Sequence, residues 1–396
     1  MYDLLKKKYE ELVFSLIEPV FQKILSFSWK TKALTLMLTA LIAWGHENLA
    51  EVERAAMVAS NAAIIILNPS AHPPISNATE IRRNDVAKRI TSVNTSEIHT
   101  SEDGSYTGWV AAQTLLAISS SQKNKESVER LIKTIRKTQI RKCLCWGESN
   151  TDKEDDAWIF ISGWVMAALA ESNTSSTDAE IDYLLENQNT NGSWNAIGGA
   201  RNDDDFPSTY TTAWSVIGLS KQLESKLAKN QSQRDKMKIA IDRATSWLLV
   251  NRASGARWKP YPNMKSSTAS ESISGLVVYA LNLARPDDIT DVRKAWLENL
   301  PNTVYPASAG ETKFTQLWRG AHLQTDHFIQ LTMPWTLIAT IDSYKDGDLI
   351  QKSKALHWIE ATLMHNSVKD ADREQNNWWR SELLIALNHA REKSAP

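Results

Sequence analysis

The sequence predicts an all-α protein built as an (α/α)6 toroid, six inner helices ringed by six outer ones, with extra helices at the N-terminus. Three observations carry that prediction. A small residue followed by a bulky one opens a helical run six times, at Gly108-Trp109, Gly163-Trp164, Ala213-Trp214, Gly275-Leu276, Pro334-Trp335 and, more weakly, Ser381-Glu382. Between these runs stands an aromatic-aliphatic pair, at Tyr183-Leu184, Trp247-Leu248, Trp296-Leu297 and Trp358-Ile359, with Thr134-Ile135 as a degraded first copy. Successive members of the first series are about 50 to 60 residues apart, room for two helices and two loops per repeat.

Taken in order, residues 1–48 read as an N-terminal helical extension packing on the toroid, and residues 49–396 as the toroid itself. The apolar stretch Ala33 to Trp44 falls short of the ~20 residues that a membrane span needs, so it reads as a buried helix, with an interfacial anchor as the alternative. The segment Ala50–Leu67 supplies the sixth outer helix, and the polar, Pro-containing residues 68–101 a loop or cap. Gly108–Ser119 and Ser162–Glu171 are almost continuously apolar or small, as expected of inner helices buried on most sides. Outer segments carry charge, for example Glu129, Arg130, Lys133, Arg136 and Lys137, as expected of helices facing water. No segment reads as a strand.

With 45 basic and 46 acidic side chains the net charge is −1, which gives no electrostatic reason to expect a nucleic-acid partner. The two cysteines, Cys143 and Cys145, fit neither a disulfide framework nor a four-ligand zinc site, so ordinary thiols in a reducing compartment are expected, and no metal site. The N-terminus mixes acids with bases and shows no export signal; a cytoplasmic protein, with peripheral membrane contact as an option, is the expectation. Phosphate-cradling Gly-rich loops, HExxH and Gly-x-Ser-x-Gly are all absent from the sequence.

Carboxylates cluster at Glu154-Asp155-Asp156, at Asp203-Asp204-Asp205, and at Asp326 beside His327. Thr100, Asp155, Asp205, Ser267 and Asp326 all fall at one offset ahead of the inner landmarks, and their side-chain oxygens suit helix N-caps. The functional alternative is that parallel inner helices bring several N-termini to one rim, where Asp155 and Asp156 supply a proton donor and Asp204 and Asp205 hold Mg²⁺ with a diphosphate substrate. Sixteen Trp residues add an aromatic interior. The landmark residues Trp109, Trp164, Trp214 and Trp335 are expected to pack between helices, and Trp158, Tyr210, Trp378 and Trp379 to line a cavity, with His327 as a further polar group.

Tyr183-Leu184, Gln188, Gly192 and Trp194 together form a pattern that resembles the QW repeat of squalene-hopene and oxidosqualene cyclases. Phe206–Leu219 resembles the inner helix that follows such repeats. The resemblance implies that Tyr183–Trp194 ends an outer helix, with Gly192 turning the chain, Trp194 packing back on the helix end and Gln188 bridging backbone ends. It also implies an isoprenoid substrate in a cavity lined by Trp158, Tyr210, Trp378, Trp379, Trp109, Trp164 and His327. In that family an Asp-x-Asp-Asp motif supplies the acid; the corresponding positions here, such as Phe160-Ile161 and Tyr210-Thr211, hold no carboxylate, and Asp155, Asp156, Asp204 and Asp205 are the acids at hand. Protein prenyltransferase β-subunits share the toroid but bind zinc through an Asp, a Cys and a His in an arrangement that Cys143 and Cys145 do not match. Two other functions suit the same architecture: a non-catalytic module binding a lipid, peptide or protein, and, more distantly, a carbohydrate-active enzyme with acids at the rim.

Overall fold

The computed structural model describes residues 61, 65, 72–75, 107–119, 125–147, 157–196, 207–225, 230–265, 267–300, 312–317, 323–330, 332–364 and 377–394. The chain divides into two compact units, Met1–Pro69 and Ser70–Pro396. In the first, only Asn61 and Ile65 are described, both helical and buried. The expected N-terminal helices and the cap at 68–101 otherwise lie outside the described residues.

In the second unit the inner helices are α1 (Thr107–Ile118), α3 (Ile159–Glu171), α5 (Thr209–Glu224), α7 (Glu271–Ala284), α9 (Thr332–Ser343) and α11 (Asn377–Glu392). The outer ones are α2 (Lys125–Lys137), α4 (Asp178–Glu186), α6 (Gln231–Val250), α8 (Thr290–Glu298) and α10 (Leu349–Met364). Each inner helix packs on the next, and α11 packs on α1, so the inner ring closes. The fold is the (α/α)6 toroid expected from the repeats.

Burial explains why two kinds of helix alternate. In α3 every residue but Glu171 is buried, because neighbouring inner helices, an outer helix and the ring axis surround it. In α2 only Leu131 and Ile135 are buried, one narrow stripe against the inner layer. Where inner helices meet, glycine sets the distance. A Cβ on Gly163 would stand 2.6 Å from the Trp214 carbonyl oxygen, and one on Gly218 would stand 2.6 Å from that of Gly163. At Gly163 and Gly275 the small residue of the landmark pair is therefore the contact point between inner helices.

Three outer-to-inner connections share one hydrogen-bond pattern, built on Trp146, Trp194 and Trp258. Their indole N–H groups donate to the carbonyls of Ile135, Leu184 and Leu248 near the ends of α2, α4 and α6, at 2.9, 2.7 and 2.7 Å. Their backbone N–H groups donate to the hydroxyls of Ser162, Thr212 and Ser274 on the following inner helices, at 3.3, 3.0 and 2.9 Å. One tryptophan thus ties the end of each outer helix to the start of the next inner one. Gly192 adopts φ 94°, and the Gln188 amide donates to the carbonyls of Gly192, at 2.9 Å, and of Ala240 on α6, at 2.8 Å. That is the turn, the return contact and the bridge expected of this segment.

Three expectations are corrected. The inner helices α3, α5 and α7 begin later than the acid positions imply: their caps are Trp158, Ser208 and Ser270. Ser208 and Ser270 accept the N–H groups of Thr211 and Ile273, whereas Ser267 stays in the loop and accepts from the N–H of Tyr261. Trp158 has no side-chain acceptor; the first N–H of α3, that of Ile159, is satisfied by the carbonyl of Ala196 instead. The second correction is an antiparallel hairpin between α8 and α9, β1 (Thr312–Leu317) with β2 (Leu323–Gln330) and a bulge at Thr315/Gln316. Asp326 and His327 lie on β2, so Asp326 caps no helix. Thr, Phe and Ile are frequent here and favour extended backbone, a signal that the helical repeat frame masked. Third, Cys143 and Cys145 are joined in a disulfide, because the chain between them turns tightly enough to bring their Cα atoms within 5.2 Å.

Candidate functional site

The interior of the inner ring is the natural place for a site, because each inner helix contributes its bulky landmark residue there. Trp164 of α3 and Trp214 of α5 stack with ring centroids 3.4 Å apart. Trp335 of α9 meets both edge-on, at 6.1 and 5.4 Å. All three are fully buried. Edge-on and stacked contacts of this kind each add about 1 kcal/mol beyond the area that they bury.

The sixth landmark residue is an acid, Glu382 of α11, and it is buried with the rings. Its carboxylate accepts from the Trp335 indole at 3.0 Å and from the Gln113 amide of α1 at 3.3 Å. Tyr210 of α5 completes the group: its phenol oxygen accepts from the Trp164 indole at 3.3 Å. Burial, and then the charge of Glu382, push the Tyr210 hydroxyl well above the ordinary tyrosine range, so it remains a neutral phenol.

Toward the N-terminal ends of the inner helices, Phe160 is packed edge-on by Trp109 at 5.7 Å, Trp158 at 5.9 Å and Tyr210 at 5.2 Å. The rings expected to line a cavity are here buried against one another; the most exposed, Trp109, shows 8% of its surface. Of the other expected site residues, Trp378 and Trp379 stand in the first turn of α11, and His327 pairs with Thr315 across the hairpin. Asp155, Asp156, Asp204 and Asp205 lie outside the described residues. In the sequence they stand a few residues ahead of Trp158 and Tyr210.

At the opposite end of the ring is a polar set that the sequence reading missed. Lys221 of α5 pairs with Glu171 of α3 at 3.0 Å, and the His389 ring of α11 meets Asp342 of α9 at 2.6 Å. Tyr279 of α7 lies edge-on to His389 at 5.6 Å. Burial, with the negative charges of Asp342, Glu171 and Glu392, outweighs the opposing influence of Lys221 and lifts the Tyr279 hydroxyl to about 12. Lys221 is held above the usual lysine range, chiefly by Tyr279 and then, against the cost of burial, by Glu171. A signal for this set did exist. Glu171, Lys221, Asp342 and His389 each stand about two helical turns after Trp164, Trp214, Trp335 and Glu382, on the same helix face. The groups form two cross-helix pairs, which tie α3 to α5 and α9 to α11.

On the outer wall an open cleft of about 1020 Å³ is lined by Asp242, Arg243, Trp247, Val250, Asp287 and Asp288 among others. Arg243 donates to the carbonyls of Asn189 and Thr190, and Arg285 to Asp242. Val250 is 84% exposed. Among the described residues no group of three or more His, Cys, Asp or Glu is placed to hold a metal, and no helix is long and apolar enough to cross a membrane.

No protein-family model and no curated protein matches the chain. Solved structures do. An α-1,6-mannanase from Salegentibacter sp. is similar at TM-score 0.50 and 11% identity, over 80% of this chain and 99% of that one. A family 105 glycoside hydrolase from C. acetobutylicum stands at TM-score 0.46 and 13% identity, over 77% and 99%. A type II terpene cyclase from Scytonema, bound to geranylgeranyl dihydroxybenzoate, stands at 0.47 and 11%, over 80% and 98%. At 11% identity the likeness to the mannanase concerns the fold alone, in agreement with the (α/α)6 toroid that the helix contacts describe.

Proposed function

We propose that the chain is a non-catalytic toroid, a binding or scaffold module whose partner is another protein. The observation that carries this reading is the filled axis: Trp164, Trp214 and Trp335 occupy it with no exposed surface. An enzyme acting on an isoprenoid or an oligosaccharide needs a hollow of at least a few hundred Å³ with polar groups aimed into it. Here the acid on the axis, Glu382, is occupied by Trp335 and Gln113. The outer wall offers the contact surface instead. In its cleft Arg243 and Arg285 are engaged within the protein, whereas Asp287 and Asp288 are exposed and form no ion pair among the described residues. That surplus of negative charge, beside the exposed Val250, suits a basic segment of a partner protein.

A second reading is catalysis at the N-terminal rim. The aromatic group of Trp109, Trp158, Phe160 and Tyr210, next in the chain to Asp155, Asp156, Asp204 and Asp205, favours it. There the acids would protonate an isoprenoid, hold a diphosphate through Mg²⁺, or cleave a polysaccharide such as an α-1,6-mannan. Purified protein incubated with squalene, geranylgeranyl diphosphate with and without Mg²⁺, and α-1,6-mannan separates the two readings. The scaffold reading expects no turnover, and binding of a lysine-rich peptide that weakens about tenfold in the Asp287→Asn/Asp288→Asn double variant. Turnover that disappears in Asp155→Asn or Asp204→Asn would overturn it.

A further inference from the structure

Three loops in this protein are closed by a backbone bond onto the residue before the anchoring tryptophan; the first is one residue longer than the other two, and it alone is cross-linked. In the repeats that follow α2, α4 and α6, the N–H groups of Ile140, Asn189 and Ala253 donate to the carbonyls of Cys145, Ser193 and Arg257, at 2.9, 2.9 and 2.8 Å. Each loop must pass through left-handed backbone. The second does so at Gly192, φ 94°, and the third at Gly255 and Ala256, φ 70° and 54°. The first loop contains no glycine: Leu144 takes φ 53°, a conformation that costs an ordinary residue about 1–2 kcal/mol. The residues on either side of Leu144 are Cys143 and Cys145, and they are bonded to each other. In the first repeat a covalent bond spans this left-handed turn, which is not cross-linked in the others.

The two sulfurs are not equivalent. Cys145 is fully buried and Cys143 is half-buried, preceded by the exposed cations Arg141 and Lys142. Attack from solvent therefore falls on the Cys143 sulfur, and the cations draw an anionic thiol toward it. We propose that Cys143 and Cys145 form a reversible thiol–disulfide exchange site for low-molecular-weight thiols of the glutathione class. A thiolate bonds to the Cys143 sulfur, the protein S–S bond breaks, and Cys145 leaves as a thiolate that takes up a proton. A second thiolate then attacks the external sulfur of the mixed disulfide and releases Cys143. The balance is one protein disulfide and two small thiols giving two protein thiols and one small disulfide.

Reduction removes the cross-link that spans Leu144. The consequence is not confined to the turn, since Leu144 accepts from Gln139, and Trp146, just beyond, anchors α2 to α3. Gly147, one residue further on, bridges Ala157 just ahead of α3.

The test follows alkylation by mass. Native protein is equilibrated with a dithiothreitol series and alkylated without denaturant. The expected result is one step in which both cysteines become alkylated together, reversed by oxidised glutathione. In oxidised glutathione, folded Cys145→Ser takes up one glutathione on Cys143. Four results would each overturn the proposal: alkylation of both cysteines without reductant, a bridge that resists dithiothreitol until the chain is denatured, alkylation of Cys143 alone after reduction, or no uptake by folded Cys145→Ser. If Cys145→Ser does not fold, the dithiothreitol series on the native chain decides.

Discussion

Two of the contacts between successive inner helices and the contact that closes the ring differ in their main chemistry. Between α3 and α5, and between α7 and α9, the helices approach through glycine. A Cβ on Gly163 would stand 2.6 Å from the Trp214 carbonyl oxygen, and one on Gly275 would stand 2.6 Å from that of Trp335. Between α11 and α1 the contact is polar. Glu382 accepts from Gln113, the Ser381 and Thr114 hydroxyls bond at 3.2 Å, and the Asn388 amide donates to the carbonyl of Ala117 at 2.7 Å. Neighbouring repeats are held in register by the chain between them and by this close approach, with the Glu171–Lys221 and Asp342–His389 pairs added at one end of the ring. The first and last inner helices have no such tether, and buried hydrogen bonds, which are directional and costly to leave unmade, supply the register instead.

The largest test of that contrast is Gly163→Leu, which places a branched side chain against the backbone of α5. The expected result is loss of the folded state, with Gly163→Ala costing about 3 kcal/mol, read as the shift in urea unfolding. If Gly163→Ala folds as stably as the parent, close backbone approach does not define these contacts. Next is Trp214→Ala. Removing a stacked, fully buried ring costs about 3–5 kcal/mol and opens a hollow on the axis, which calorimetry and uptake of a small apolar probe would both register.

A smaller effect is expected at the closing contact. Glu382→Ala leaves the Trp335 indole and the Gln113 amide without their acceptor, at a cost of about 2–3 kcal/mol. Glu382→Ala combined with Gln113→Ala should cost less than the two separately. Strict additivity in that double-mutant cycle would show that the bond does not couple α11 to α1.

The smallest effect is on pH dependence. Tyr279 lies beside His389, and burial, reinforced by neighbouring acids, raises its hydroxyl to about 12, above the ordinary ~10 of an unfolded chain. A raised pKa means that the folded state holds the proton more tightly. The associated stability is fully present below pH ~10 and is lost as pH rises through about 12. Tyr279→Phe should flatten that alkaline decline, and an unchanged decline would place its origin elsewhere, for example at Tyr344, whose hydroxyl burial also raises to about 12.

Much of this architecture was legible before any coordinates. The alternation of two helix types follows from apolar runs and charged runs, and the outer-helix ends follow from Gln188, Gly192 and Trp194, all within a dozen residues of sequence. The N-caps were placed too early because acids cluster ahead of the helices, yet the backbone enters helix only at Ser208 and Ser270. The functional set was harder to see. Glu382 looked like the weakest copy of a landmark, and its burial beside Trp335 depends on contacts from repeats far apart in the chain.

By itself the sequence determined the repeat, the helices and the local turns, because each is settled by residues within about two helical turns of one another. Only the tertiary structure decided that Trp164, Trp214 and Trp335 meet on the axis, that Glu382 closes the ring against Gln113, and that Glu171 pairs with Lys221 and Asp342 with His389. Those contacts join residues brought together only when the ring closes, and no local pattern states which of six similar helices will face which.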